Sequence, residues 1–219
     1  MKFDFEQIAK GFKRASDFIR MAKPDFLLVP VAGSVPFVDL LHIVDRKFDI
    51  SSAVYIPNSS RFADREGLMS RWYEQFYKIN EVGKPLKFVC VDEVLSGSSA
   101  VVGYKQFERS IERRARDLAA EFLSDELKAY ERFRKKLCRS ISYKILGIAE
   151  TGHVRNPHFK RIANKGLAHV IEFDDVPTID NVMLNSLRFK VARTQKNGRP
   201  VYSPEIERCI LGRKRLVGR

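Results

Sequence analysis

Two adjacent acids, Asp92 and Glu93, close an apolar run at 88–91, and shortly after them the chain reads Ser96-Gly97-Ser98-Ser99 before a stretch with helical spacing. Each residue type there suits a ligand. A glycine lets the backbone approach closely. Three hydroxyls and the unpaired amides of a first helical turn are donors to an anion. Neighbouring carboxylates accept from paired hydroxyls such as those of a ribose. Val94, Leu95, Ser96, Gly97, Ser98 and Ser99 are therefore expected to wall a pocket for a 5′-phosphoribosyl group, with Asp92 and Glu93 at its edge. A second turn, Ala32-Gly33-Ser34-Val35, follows another short apolar run at 26–31. Arg61, Arg65 and Arg71 lie between the two turns and are candidates to close over anionic groups.

The elements that must position these residues can be read from periodicity. Phe5, Ile8, Phe12, Ala15 and Ile19 recur at helical spacing, which predicts an amphipathic helix over 3–22, a core element or a homodimer surface. The runs at 26–32 and 88–91 are too short for helices and predict strands buried on both faces, as in parallel sheets. Further strands are expected at 53–56, 143–149 and 168–173, with helices near 37–44, from about 100 to Phe122, and over 126–140. The stretch 57–83 is polar and reads as an insertion, with a possible helix through Trp72, Phe76 and Ile79. Alternating strands and helices predict an α/β fold with an open, mainly parallel sheet flanked by helices. Ligands in such sheets gather beyond the carboxyl ends of the strands, where both candidate turns fall. Residues 1–184 are expected to form this domain and 185–219 a basic C-terminal extension containing a hairpin.

Charge is distributed unevenly. Residues 1–100 hold 14 Lys/Arg and 13 Asp/Glu, so nearly all of the net +13 lies in the second half. Lys128, Arg132, Lys135, Lys136 and Arg139, with Arg213, Lys214 and Arg215 near the end of the chain, are candidate contacts for nucleic acid or an anionic protein partner. The alternative is a set of solvated helix faces. His42, His153, His158 and His169 show no metal-ligand spacing; the first is expected on a helix, the last in a strand, and the other two in a basic loop. Cys90, Cys138 and Cys209 suggest neither a disulfide framework nor a zinc site. No apolar run approaches the roughly 20 residues of a membrane helix. Asp4 and Glu6 stand where a signal peptide would be basic and then apolar, so a soluble, cytoplasmic protein is expected.

The segment Phe88-Val-Cys-Val-Asp-Glu-Val-Leu-Ser-Gly-Ser-Ser99 resembles the phosphoribosyl pyrophosphate signature of the type I phosphoribosyltransferases: an apolar strand, two acids, and a glycine-containing loop that opens a helix. Phe26-Leu-Leu-Val-Pro-Val-Ala-Gly-Ser-Val-Pro36 is similar to that family's earlier strand and pyrophosphate-binding turn, and the likeness spans roughly residues 20–175. The resemblance implies contacts from Asp92 and Glu93 to the ribose hydroxyls and from Ser96 to Ser99 to the 5′-phosphate. It places pyrophosphate and its Mg2+ at Ala32 to Val35. It further implies a mobile cover at 57–83, a hood over the base around 168–178, and transfer of a phosphoribosyl group to a nitrogen nucleophile. The loop is one residue shorter than the family pattern. Either the turn is tighter, or Asp92 takes the second acidic position and Val91 the first. The family also includes nucleotide-responsive regulators that bind RNA, so a nucleotide sensor with a basic gripping face, for example in a bacterial defence or stress operon, is the competing implication.

Overall fold

The structure, a computed structural model, describes residues 5–31, 33–49, 51–59, 62, 64–80, 85–94, 96–122, 125–174, 187–194 and 200–208, with backbone alone at Phe5 and in the last two segments. Its elements alternate: α1 (Phe5–Ala22), β1 (Phe26–Pro30), α2 (Val35–Val44), β2 (Ala53–Ile56), α3 (Arg65–Ile79) and β3 (Leu86–Glu93) come first. Then follow α4 (Ser98–Ala119), α5 (Glu126–Ser140), β4 (Ile141–Glu150), α6 (Pro157–Asn164) and β5 (Ala168–Phe173). Strands β1 to β5 form one all-parallel sheet in the order β2-β1-β3-β4-β5. A separate antiparallel hairpin, β6 (Leu187–Thr194) and β7 (Pro200–Arg208), follows.

The lack of hydrophilic alternation in the central strands has its reason in two cores, one on each face of the sheet. Leu27, Val29, Val89 and Val91 face α1 and α2, where they meet Phe12, Ala15, Ile19 and Leu41. Leu28, Phe88, Cys90 and Val94 face the other helices and meet Tyr73, Phe76, Phe107, Leu137 and Phe159. Each fully buried Leu or Phe contributes roughly 1.5–3 kcal/mol by leaving water. The Phe-bearing face of α1 is thus core, with Phe12 stacked on Phe37. Among the described residues no helix is long and apolar enough to cross a membrane.

Three expectations change. Most of 57–83 is not a polar cover: residues 65–79 form α3, which buries Met69, Tyr73, Phe76 and Tyr77. Ile79, expected on its apolar side, is 82% exposed. Helix α4 ends at Ala119, so Phe122 lies beyond it, with the Arg132 guanidinium over its ring. His158 is in α6 rather than a loop; Asn156 caps that helix by accepting from the amides of His158 (2.9 Å) and Phe159 (3.3 Å).

Candidate functional site

Strands β1 and β3 are neighbours, yet the helices that follow them pack on opposite faces of the sheet. Their outgoing loops therefore diverge and leave a crevice at the carboxyl edge, the place where open α/β sheets bind ligands. The two candidate turns form its walls. Ser34, fully buried, is the residue before α2, but its hydroxyl does not cap that helix. It donates instead to Asp92 Oδ1 across the crevice, at 3.2 Å. Gly33 sits against the second acid, since a Cβ added there would lie 3.7 Å from Glu93 Oε2. Val35 is buried beneath the turn.

Asp92 is 5% exposed and its Oδ2 has no hydrogen-bond partner among the described residues. Burial pushes its pKa up to about 7, with the Glu93 charge adding to the rise, while the Ser34 hydroxyl, the Glu93 amide and the Arg65 charge oppose it. Glu93, one residue on, points to the other face of the strand and is half-buried. Arg65 opens α3 within electrostatic reach of Asp92; burial lowers its own pKa, against the pull of Glu66 and Asp92. Arg71 lies six residues further along the helix and pairs with Asp64 at 3.3 Å in an exposed position, away from the acids. Arg61, Ala32, Leu95, Arg213, Lys214 and Arg215 lie outside the described residues.

The second wall is a sharp turn fixed by glycine. Gly97 has φ +86°, and a Cβ there would also come within 2.8 Å of Phe159 Cβ, so both backbone conformation and packing exclude a side chain. Val94 is buried, and its amide donates to Ile148 O at 2.8 Å, tying the loop to β4. Ser96 and Ser98 are exposed; Ser96 Oγ donates to Ser98 Oγ at 3.0 Å and accepts from the Ser98 amide at 3.3 Å. Ser99 follows, half-buried in the first turn of α4. Helix α4 begins without a side-chain cap, as α2 does. Helix α5 also begins uncapped, at Asp125; what sets α2 and α4 apart is that they start on the two sides of one crevice.

Two asparagines that the sequence did not single out hold this turn. The Asn156 amide donates to Ser96 O (3.1 Å) and its side chain to Ser98 Oγ (3.2 Å). Asn58, just past β2, donates to Ser99 O at 3.4 Å. Carboxylates on one side and uncapped helix amides with hydroxyls on the other suit a polyol that carries an anion.

The basic candidates of α5 lie elsewhere. Lys128, Arg132, Lys135 and Arg139 recur at spacings of four, three and four, so they share one exposed face, with Lys136 beside them. Lys128 pairs with Asp125 at 3.0 Å, and Arg132 stacks over Phe122 and Phe133. A further cleft lies between α3 and α4, lined by Tyr77, Lys78, Ser110 and Arg113 among others.

Fold and crevice together define a doubly wound α/β protein of Rossmann-like architecture, with its candidate site at the sheet's switch point. No protein-family model matches the sequence, and no curated protein matches it.

Proposed function

We propose that the crevice binds a ribose 5-phosphate group, and that the chain transfers the phosphoribosyl group of phosphoribosyl pyrophosphate to a nitrogen nucleophile. The carrying observation is the Ser34–Asp92 hydrogen bond, which joins turns 58 residues apart in sequence into one site. In the reaction the C1–O bond to pyrophosphate breaks, a C1–N bond forms, and the nitrogen gives up its proton to solvent. Little covalent help is required, and the rate comes from positioning the donor and from stabilising charge on the leaving pyrophosphate. Asp92 and Glu93 hold the ribose hydroxyls, Ser96 to Ser99 the phosphate, Gly33 to Val35 the pyrophosphate, and Arg65 adds positive charge beside the acids. Among the described residues no group of three or more His, Cys, Asp or Glu is arranged to hold a metal. Mg2+ in this reading arrives on the pyrophosphate, keeps most of its waters, and needs at most one or two carboxylates, for which Asp92 and Glu93 have the right oxygen donors. A cytoplasmic setting belongs to the same reading.

Calorimetry with phosphoribosyl pyrophosphate and Mg2+ tests binding, and pyrophosphate release in the presence of a panel of bases tests turnover. No heat of binding would remove the reading. Binding without turnover would favour a nucleotide sensor. That second reading draws on the α5 stripe, whose four cations on one face suit a phosphate backbone. Its check is the salt dependence of nucleic-acid affinity, which should steepen by roughly 0.9 in log–log slope for each duplex phosphate neutralised. Replacing Lys135 and Arg139 by Gln should flatten it by about two contacts, and an unchanged slope would leave α5 a solvated face.

A further inference from the structure

Beneath Asp92, on the side of the sheet that faces α3 and α4, four buried side-chain oxygens have no nitrogen or oxygen hydrogen-bond partner among the described residues: Asn58 Oδ1, Tyr73 Oη, Asp92 Oδ2 and Tyr143 Oη, the last with only the weakly bonding Cys90 thiol beside it. They come from four separate elements, the end of β2, α3, β3 and β4, and their residues are between 0% and 5% exposed. Two of their residues flank one position of α4. Asn58 Nδ2 is 2.5 Å, and Tyr143 Oη 3.7 Å, from the point where a Cβ on Gly103 of α4 would be. Tyr143 is within electrostatic reach of Cys90, Tyr73 and Asp92. A buried hydroxyl or carboxyl without a partner costs roughly 1–3 kcal/mol, and one chance orphan is tolerable where several on one face of a sheet are not. A polar site with several partners from different elements is where proteins hold ordered water.

We propose that Asn58, Tyr73, Tyr143 and Asp92 share buried ordered water, and that through it the Tyr143 hydroxyl orients the Asp92 carboxylate toward a ligand hydroxyl. Tyr143 is then a positioning residue, acting through water on a carboxylate whose Oδ2 the described residues leave without a partner, Ser34 and the Glu93 amide being its protein donors. The charged and titratable groups around that carboxylate are Glu93 and Cys90 on its own strand, Arg65 and Tyr73 from α3, and Tyr143 from β4. Arg65 is the cation among them, and the remaining groups are acids, phenols and a thiol that burial keeps protonated. Donors to Asp92 Oδ2 are therefore sought among hydroxyls and water, since no partner among the described residues reaches it. The ligand half of this inference rests on the sugar-phosphate reading above; the water half does not.

The test is Tyr143→Phe in the full chain, with Tyr73→Phe as an independent second variant. The Asp92 midpoint is followed by carboxyl NMR of 13C-aspartate protein, its signal assigned with Asp92→Asn, and thermal stability is measured alongside. If water bridges the cluster, removing the hydroxyl takes a donor from the carboxylate: the Asp92 midpoint rises by about one pH unit and the melting temperature falls. If the cluster is dry, the same change deletes a hydroxyl whose one neighbour is a thiol: the midpoint stays where it was, which overturns the proposal whichever way the melting temperature moves. Ribose 5-phosphate affinity adds the ligand arm. At pH 7 Tyr143→Phe should weaken it several-fold and above pH 9 should restore it. Failure of the wild-type chain to bind ribose 5-phosphate would count against the sugar-phosphate reading, leaving NMR to decide the water site.

Discussion

Asp45, at the far end of α2, and Asp92, at the switch point, are both nearly sealed from water, at 6% and 5% exposure. Around Asp45 the chain has gathered donors: Ser16 Oγ at 2.6 Å, the Lys47 amide at 3.1 Å, Lys13 Nζ at 3.3 Å and Arg20 at 3.6 Å. These interactions, the Ser16 hydrogen bond foremost, hold its pKa down to about 2. Around Asp92 the donors are only the Ser34 hydroxyl, at 3.2 Å, and the adjacent Glu93 amide, and burial pushes the pKa up to about 7. A carboxylate that fastens α1 to α2 is satisfied by the protein. Asp92 is left with an oxygen to spare, which is what the proposed ligand role requires, and the fold bears the cost.

The largest expected effect breaks the comparison at the functional end. Asp92→Asn with Glu93→Gln should weaken phosphoribosyl pyrophosphate binding by at least about tenfold, or roughly 1.4 kcal/mol, by calorimetry; unchanged affinity would reject the ribose assignment. Stability should move the other way. Because the folded pKa of Asp92 lies above the usual carboxylate value, the native state holds its proton more tightly than the unfolded chain does. The favourable contribution is therefore fully present below about pH 4 and lost as pH rises through 7. Asp92→Asn alone should accordingly stabilise the protein at pH 8 by on the order of 1–3 kcal/mol in urea titrations, with little difference at pH 4.

Asp45→Asn should show the mirror image. Its folded pKa is depressed, so its contribution is present above the usual carboxylate value and is lost as pH falls through about 2. The variant should unfold at distinctly lower urea than wild type at pH 7, converge with it near pH 2, and bind ligand unchanged. A loss of ligand affinity in this variant would mean that the two regions are coupled and that the contrast between them is wrong.

How far this contrast was legible in the sequence depended on whether a signal was local. Strand β2, helix α5 and strand β5 follow from short apolar runs or clear helical spacing bounded by turn formers, and the structure gives them the expected limits. Helix α6 did not follow, because eight residues with only Phe159 and Ile162 buried carry no period; the Asn156-Pro157 start was the available sign. Helix α3 was legible only as a possible helix through Trp72, Phe76 and Ile79; its start and its buried face of Met69, Tyr73, Phe76 and Tyr77 were obscured by the charged residues on its outer side. At the site, the acids and the glycine turn are contiguous in sequence and readable as a motif. Ser34 on Asp92, Asn58 on Ser99 and Asn156 on Ser98 are contacts between separate strand ends, and no local pattern encodes them.

A smaller effect is expected where the second wall depends on one backbone angle. Gly97→Ala must place a side chain at φ +86° and against Phe159, costing about 1–2 kcal/mol in the left-handed conformation before any repacking. The measurable consequence is a several-fold loss of ribose 5-phosphate affinity with the Asp92 titration intact, because the damage is to the phosphate wall and not to the acids. An alanine variant with full affinity would show that the turn is not the anion cradle.

The smallest effect sharpens the comparison most, because it removes the same atom from both regions. Ser16→Ala takes from Asp45 its shortest hydrogen bond, at 2.6 Å, while Lys13, Arg20 and the Lys47 amide remain. Ser34→Ala takes from Asp92 its hydroxyl partner, at 3.2 Å. A hydrogen bond contributes roughly 0.5–1.5 kcal/mol net, and more when the acceptor is charged. Near pH 7 Asp45 is fully ionised, whereas Asp92 is near its midpoint and partly neutral. Ser16→Ala should therefore be the more destabilising of the two at pH 7, as read by urea midpoints. Ser34→Ala should cost about 0.5–1 kcal/mol and instead raise the Asp92 midpoint, seen in the pH dependence of its carboxyl resonance. Equal losses, with the Asp92 titration unmoved, would mean that Ser34 merely packs against the acid and that the two turns are not electrostatically one site.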